Sequence, residues 1–268
     1  SAGGPDHQGE VPRQAADPGC SGTGKLRKMN KFLAGIGLCA FACATTAASA
    51  DDVALTFNGL TGGGVTMRVH YEDGGGTDRT LSTAAGRFEW NGNTVNSFCV
   101  ELTQYAGSGN FDCVGLDADG APFSDDQVDA IAKLYEQFSD GALDFTGGAT
   151  NDNLIEAAAF QMVLWEIVSE KTSVGDATDW DIEGGTTSFS SLTSSGTGAL
   201  FSQAESRAVT MLTAIQGSSL LNSAWIDRLR LLQHDQKQDQ LILVPLPAPL
   251  AFGALGVLGV MIGRRRFR

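Results

Sequence analysis

Two residues in the middle of the chain carry most of its chemical potential. Cys99 stands in Ser97-Phe98-Cys99-Val100-Glu101-Leu102, an alternating run that turns it to the face opposite Phe98 and Val100. Gln161 stands inside Ala157-Ala158-Ala159-Phe160-Gln161-Met162-Val163-Leu164-Trp165, an apolar helical stretch. A primary amide buried there costs several kcal/mol unless it is paired, so Gln161 is either satisfied by neighbouring backbone or consumed by a reaction. A thiol is a nucleophile and a carboxamide carbon is an acyl centre. Cys113 offers Cys99 a different fate, a disulfide closing the short segment between them, in a compartment that permits one.

The other constellations are poorer. The chain of 268 residues has 18 Lys and Arg against 31 Asp and Glu, a net charge of -13, and three His, at 7, 70 and 234. No CxxC pair, HExxH, Walker A or dinucleotide-binding glycine pattern occurs, which leaves no metal site or cofactor to expect. Asp117, Asp119 and Gly120 with Asp125 and Asp126 approach a calcium loop, but Ala121 and Pro122 stand where a ligand and a glycine are needed. Asp176, Asp179, Asp181 and Glu183 read equally as a solvated acidic loop. A secreted Ser/His/Asp hydrolase would have to use His70 or His234, neither near a nucleophile elbow, so no enzyme is expected.

With 42 % hydrophobic residues and 34 Gly, the chain can bury a core and is no disordered tract. Short alternating runs near 53–59, 64–71, 84–90 and 95–102 read as strands, with Gly62-Gly63-Gly64, Gly74-Gly75-Gly76 and Asn91-Gly92 as turns. Ser124 and Gln127 make a capping box before Val128, Ile131, Leu134, Tyr135 and Phe138, which recur at helical spacing. A second helix, 152–170, starts at Asn151-Asp152 and is apolar nearly all round, hence buried. The stretch 172–198 reads as a long surface loop, 199–216 as a third helix, and Trp225 to Leu232 with Gln240 to Val244 as a hairpin pair. The expected fold is α+β: a β-sandwich or partial barrel with a helical insertion, flanked by an N-terminal signal peptide and a C-terminal sorting helix.

Both ends read as addresses. Residues 1–28 lack hydrophobic periodicity and are taken as an upstream extension outside the native chain. From Met29 come Asn30 and Lys31, an apolar run from Phe32 to Cys43, and the small-residue site Ala48-Ser49-Ala50, a signal peptide over 29–50 cleaved by signal peptidase after Ala50. At the other end Val244, Pro245, Leu246, Pro247 and Ala248 precede an apolar helix and a basic tail of Arg264, Arg265, Arg266 and Arg268. The tail should stay in the cytoplasm and leave the body, 51–244, outside the inner membrane. Five of the basic and three of the acidic residues lie in 1–50, and four Arg lie in 249–268. Residues 51–248 therefore hold 9 basic and 28 acidic residues, a net charge of -19, which argues against nucleic acid.

The tripartite terminus over 245–268, with Val244 completing its Val-Pro-Leu-Pro-Ala motif, resembles the VPLPA variant of the PEP-CTERM sorting signals of Gram-negative bacteria. The resemblance implies an exosortase, a membrane transpeptidase, as processing partner. Phe98-Cys99-Val100 together with Gln161 and Trp165 resembles the thioester domains of bacterial surface adhesins over about residues 83–170. Phe160 stands where that family carries Thr. The resemblance implies an internal thioester between the Cys99 sulfur and the Gln161 carbonyl, shielded by Phe98 and Trp165. An amine or hydroxyl on a surface ligand would capture it. The chain is then an exported cell-surface or matrix protein that works in adhesion; the alternative is a non-reactive extracellular module with a Cys99–Cys113 disulfide.

Overall fold

The computed structural model describes residues 51–73, 75–145, 148–170, 180–192, 198–218 and 223–244. The signal peptide with Ala48 and Ala50, the motif residues Pro245, Leu246, Pro247 and Ala248, and the Arg tail lie outside them, as do Asp176 and Asp179. Val244 is inside; its N–H donates to the Arg228 carbonyl at 2.9 Å.

The fold is α+β. Its strands are β1 (Asp51–Leu55), β2 (Phe57–Leu60), β3 (Val65–Glu72), β4 (Asp78–Ala85), β5 (Phe88–Trp90), β6 (Val95–Cys99) and β7 (Gly109–Gly115), with three more after the first helices. The helices α1 (Asp125–Leu143) and α2 (Asn151–Ser169) come next, then β8 (Ser188–Ser191), α3 (Gly198–Gln216), the single turn α4 (Ser223–Ile226), β9 (Leu229–Gln233) and β10 (Gln240–Leu243). Seven strands form one antiparallel sheet in the order β1-β7-β9-β10-β6-β5-β2. Its two edge strands, β1 and β2, are separated in the chain by Thr56 alone, so the sheet must curl until its edges meet in a nearly closed barrel. Asn91 holds that corner, accepting from Thr56 N–H through Oδ1 and donating to the Thr56 carbonyl. A second sheet, β4-β3-β8, lies apart from the first.

Local chemistry explains the elements. The capping box forms between Ser124 and Gln127, and α1 buries Val128, Ile131, Leu134 and Tyr135. The turn between β5 and β6 holds Asn91, Gly92 and Asn93 at positive φ, where Asn and Gly are the least strained residues. The N-cap of α2 is Thr150, one residue before the expected Asn151; its hydroxyl accepts from Asn153 N–H. Every residue of α2 from Ala157 to Ile167 is buried, because the helix touches β6 on the barrel, β3 and β4 of the second sheet, and both neighbouring helices. Its lack of an exposed stripe follows. Among the described residues, no helix is long and apolar enough to cross a membrane.

Four sequence expectations need correction. The run 84–90 is two elements, since β4 pairs with β3 along its whole length and β5 turns into the barrel. No strand was expected between 102 and 124, yet β7 pairs with both β1 and β9. The stretch 172–198 is no plain surface loop: it contains β8, and Trp180, Ile182, Thr187 and Phe189 are buried. Gly, Ser and Thr around those anchors hid them. Trp225 likewise belongs to α4, ahead of the hairpin.

Candidate functional site

The site begins where a ladder stops. The pairing of β6 with β5 runs from Trp90–Val95 to Phe88–Ser97 and ends there, because β5 has only three residues. On its other flank β6 continues, with Cys99 opposite Gln240 and Val100 N–H donating to the Asp239 carbonyl. Cys99 thus needs partners for its own N–H and C=O on the β5 side. The side-chain amide of Gln161 takes the place of the missing strand: Cys99 N–H donates to Gln161 Oε1 at 2.9 Å, and Gln161 Nε2 donates to the Cys99 carbonyl at 2.7 Å. One donor and one acceptor on each side fix which way the amide points. Ala157, Ala158 and Ala159, all buried, keep that part of α2 slim enough to approach the sheet.

Trp165 lies one helical turn beyond Gln161 on the same face, and its Nε1–H donates to Cys99 Sγ at 3.4 Å. The thiol itself donates to the Glu101 carbonyl at 2.8 Å. Cys99, Gln161 and Trp165 are all essentially inaccessible to solvent. Burial pushes the Cys99 thiol far above its ordinary range, more than the Trp165 hydrogen bond pulls it back, so it is neutral at physiological pH. Phe98, one residue earlier, faces the helices: its ring lies 4.4 Å from Phe160 and 6.5 Å from Tyr135. The ring against the sulfur is Trp165, and Phe98 closes the helix side of the strand.

No disulfide joins Cys99 to Cys113. Cys113 pairs with Leu232, Leu232 with Gln240 and Gln240 with Cys99, so the two cysteines share one row three strands apart. At ~4.8 Å per strand this is roughly 14 Å, about twice the Cα separation a disulfide spans. The short sequence interval misled, because β7 crosses to the far side of β9. His70 bridges the second sheet, Nδ1 to Thr80 Oγ1 at 3.0 Å and Nε2 to Ser190 Oγ at 3.3 Å. Both its ring nitrogens are occupied by hydroxyls rather than a carboxylate. His234 accepts from Gln236 N–H through Nδ1 and packs its ring 5.2 Å from Phe111.

Residues around this centre escaped the sequence reading. Glu166 follows Trp165 and is fully buried; its Oε1 accepts from Asp181 N–H at 2.8 Å, while Oε2 has no hydrogen-bond partner among the described residues. Burial pushes its carboxyl up to about 9 against the opposing pull of that N–H, with the Glu170 and Asp181 charges adding to the rise. One turn on, Glu170 accepts from Thr186 and Thr187 N–H. These two glutamates fasten segment 180–187 to α2, and from that segment's end Phe189 stacks on Trp165, ring centres 6.5 Å apart. The cover over the sulfur is therefore itself held down. Two clefts, of about 520 and 490 Å³, flank the site and share Val100, Glu101 and Val168 as a common wall. Asp239, in the first cleft, is pushed up to about 6 by burial, restrained by a hydrogen bond from His234 N–H.

No protein-family model matches this chain, and neither a curated protein nor a solved structure does.

Proposed function

We propose that the body of this protein is a single-use covalent attachment module, in which Cys99 and Gln161 form an internal thioester that a surface amine or hydroxyl later opens. The observation that carries the reading is the double hydrogen bond between the Gln161 amide and the Cys99 main chain, with Trp165 on the sulfur. The chemistry balances without any co-reactant. Sulfur bonds to the Gln161 side-chain carbonyl carbon, the carbon–nitrogen bond breaks, and the thiol hydrogen leaves with that nitrogen as ammonia. Cys99 N–H already points at Gln161 Oε1, the oxygen that gathers negative charge as the carbon turns tetrahedral, and one such preset donor is worth roughly 3–4 kcal/mol in acyl transfer. In the opened product the nucleophile is bonded to the Gln161 carbonyl carbon and the thiol of Cys99 is restored.

Around this module we read an exported chain: a signal peptide over 29–50, and a Pro motif, apolar helix and Arg tail over 245–268 that an exosortase-like transpeptidase would process after an inner-membrane stage. Cell-surface or matrix adhesion fits a net charge of -19 over residues 51–248, which repels anionic polymers, and only three Lys among those residues to react with the module's own acyl group. Cys99→Ala and Gln161→Ala should each abolish covalent capture of methylamine, and Cys113→Ala should leave it intact. Capture by the Cys99→Ala chain would refute the assignment. Terminal sequencing of the extracellular form should begin at Asp51 and lack Arg268; a form retaining Arg268 would make the C-terminal segment a plain anchor.

A second reading rests on the neutral, desolvated thiol and the Gln161 amide hydrogen-bonded through both its oxygen and its nitrogen. There the pair is a structural bolt between β6 and α2, and the module displays a surface without reacting.

A further inference from the structure

The Glu101 carbonyl has two donors. Cys99 Sγ reaches it at 2.8 Å and Gln238 Nε2 at 2.6 Å. Gln238 is 7 % exposed and sits in the turn between β9 and β10, on a different part of the chain from either thioester residue. It is anchored at several points. Its own N–H donates to the Tyr105 carbonyl at 3.2 Å, and Gln240 Nε2 approaches its main-chain carbonyl at 3.3 Å. Gln240, fully buried, accepts from Ser97 Oγ at 2.8 Å, and Ser97 Oγ accepts from Trp90 Nε1 at 2.7 Å. A buried chain of hydrogen bonds therefore runs from Trp90 through Ser97, Gln240 and Gln238 to the carbonyl that holds the thiol.

We infer that Gln238 is a positioning residue for Cys99, its side-chain amide holding the Glu101 carbonyl where that carbonyl takes the thiol hydrogen. The inference rests on the thioester reading and adds a residue that neither motif contains. A carbonyl oxygen has two lone pairs, so it can serve both donors at once. While the thiol is present, its hydrogen is drawn to Glu101. When sulfur bonds to Gln161 that hydrogen departs with ammonia, and the carbonyl keeps Gln238, so neither state leaves a buried acceptor empty. When a nucleophile opens the thioester the regenerated thiol finds the same acceptor in place. Glu101 also lines both clefts, and its carboxylate accepts from Thr103 Oγ1, so the clamp bears on the wall that separates the sulfur from solvent.

The test follows ammonia loss by intact mass in the purified chain and its variants, with thermal unfolding recorded on each. Gln238→Glu keeps the shape but removes the donor when ionised; Asp235, Lys237 and Asp239 share its turn, and the Glu101 carboxylate and the His234 ring line the same cleft as Asp235 and Asp239. At neutral pH both Gln238→Glu and Gln238→Leu should lose ammonia at least tenfold more slowly than the parent, and Gln238→Glu should recover at acid pH, where its carboxyl can donate. A purely structural role predicts no such recovery. Ammonia loss at the parental rate in either variant at neutral pH would overturn the inference. If the parent keeps its ammonia, the thioester reading fails, and Gln238 is then read by iodoacetamide: Gln238→Leu should alkylate at Cys99 at least tenfold faster than the parent, and equal rates would overturn its positioning role.

Discussion

Cys99 and Cys113 make an informative pair because so much about them is equal. Both are buried in the same antiparallel sheet and lie in the same row across it. Cys113 is in the middle of β7, with β1 on one side and β9 on the other, so peptide groups complete its ladder. Cys99 is at the last residue of β6, where β5 has already ended, and a side chain does the work of a strand. On the proposed function, this contrast is how a sheet would make a reactive position. An interrupted ladder leaves main-chain groups that must be satisfied, and here the carboxamide of Gln161 satisfies them beside the cysteine.

Substitutions at the interrupted ladder and around it should separate the two cysteines further. Gln161→Ala leaves the Cys99 N–H and C=O unpaired in a dry site and opens a cavity, so it should cost about 3–5 kcal/mol of stability and eliminate any ammonia loss. Chemical denaturation gives the first number. A cost below 1 kcal/mol would mean another group readily replaces the amide.

Glu166→Gln tests the fastening above Trp165. The Glu166 carboxyl is raised from its ordinary 4.5 to about 9, so the folded state binds a proton that the unfolded chain releases. Its contribution is fully present below about 4.5 and is lost as pH rises toward 9, with a slope of at most about 1.4 kcal/mol per pH unit. The variant lacks this loss. It should equal the parent near pH 4 and exceed it by roughly 1–3 kcal/mol at pH 7. A pH-independent difference would place Glu166 in a wetter setting than the structure does.

Cys113→Ala removes a sulfur from a complete ladder and should cost only about 1–2 kcal/mol, with no effect on ammonia loss or amine capture. Trp165→Phe keeps a six-membered aromatic ring but deletes the pyrrole ring with its N–H donor to sulfur. Its stability cost should be about 1 kcal/mol, and any thioester should hydrolyse faster than in the parent. The two measurements are urea titration and the time course of water uptake by mass.

The sequence was most legible where the signal is local. Ser124 and Gln127 announce the start of α1, and the Asn91-Gly92 turn needs nothing but its own backbone preferences. The residue types at the site were legible too, since an amide in an apolar helix and a cysteine in a strand each stand out. What sequence could not convey is pairing at a distance. The span of 14 positions between Cys99 and Cys113 suggested a disulfide that β9 and β10 forbid by lying between them. Segment 180–187 was hidden because its anchors are backbone N–H groups on Glu166 and Glu170, and backbone donors leave no trace in composition. The Glu101 carbonyl is invisible for the same reason, and with it the reason for Gln238.

A covalent link between Cys99 and Gln161 is open to a simple check, the intact mass of the purified chain before and after methylamine. The link requires a mass one ammonia below that of the sequence, a gain of one methylamine on treatment, and a Cys99 thiol that becomes alkylatable only afterwards. A chain at its full mass, with Cys99 alkylatable on unfolding and no methylamine uptake, would contradict it and leave Gln161 as a bolt between β6 and α2.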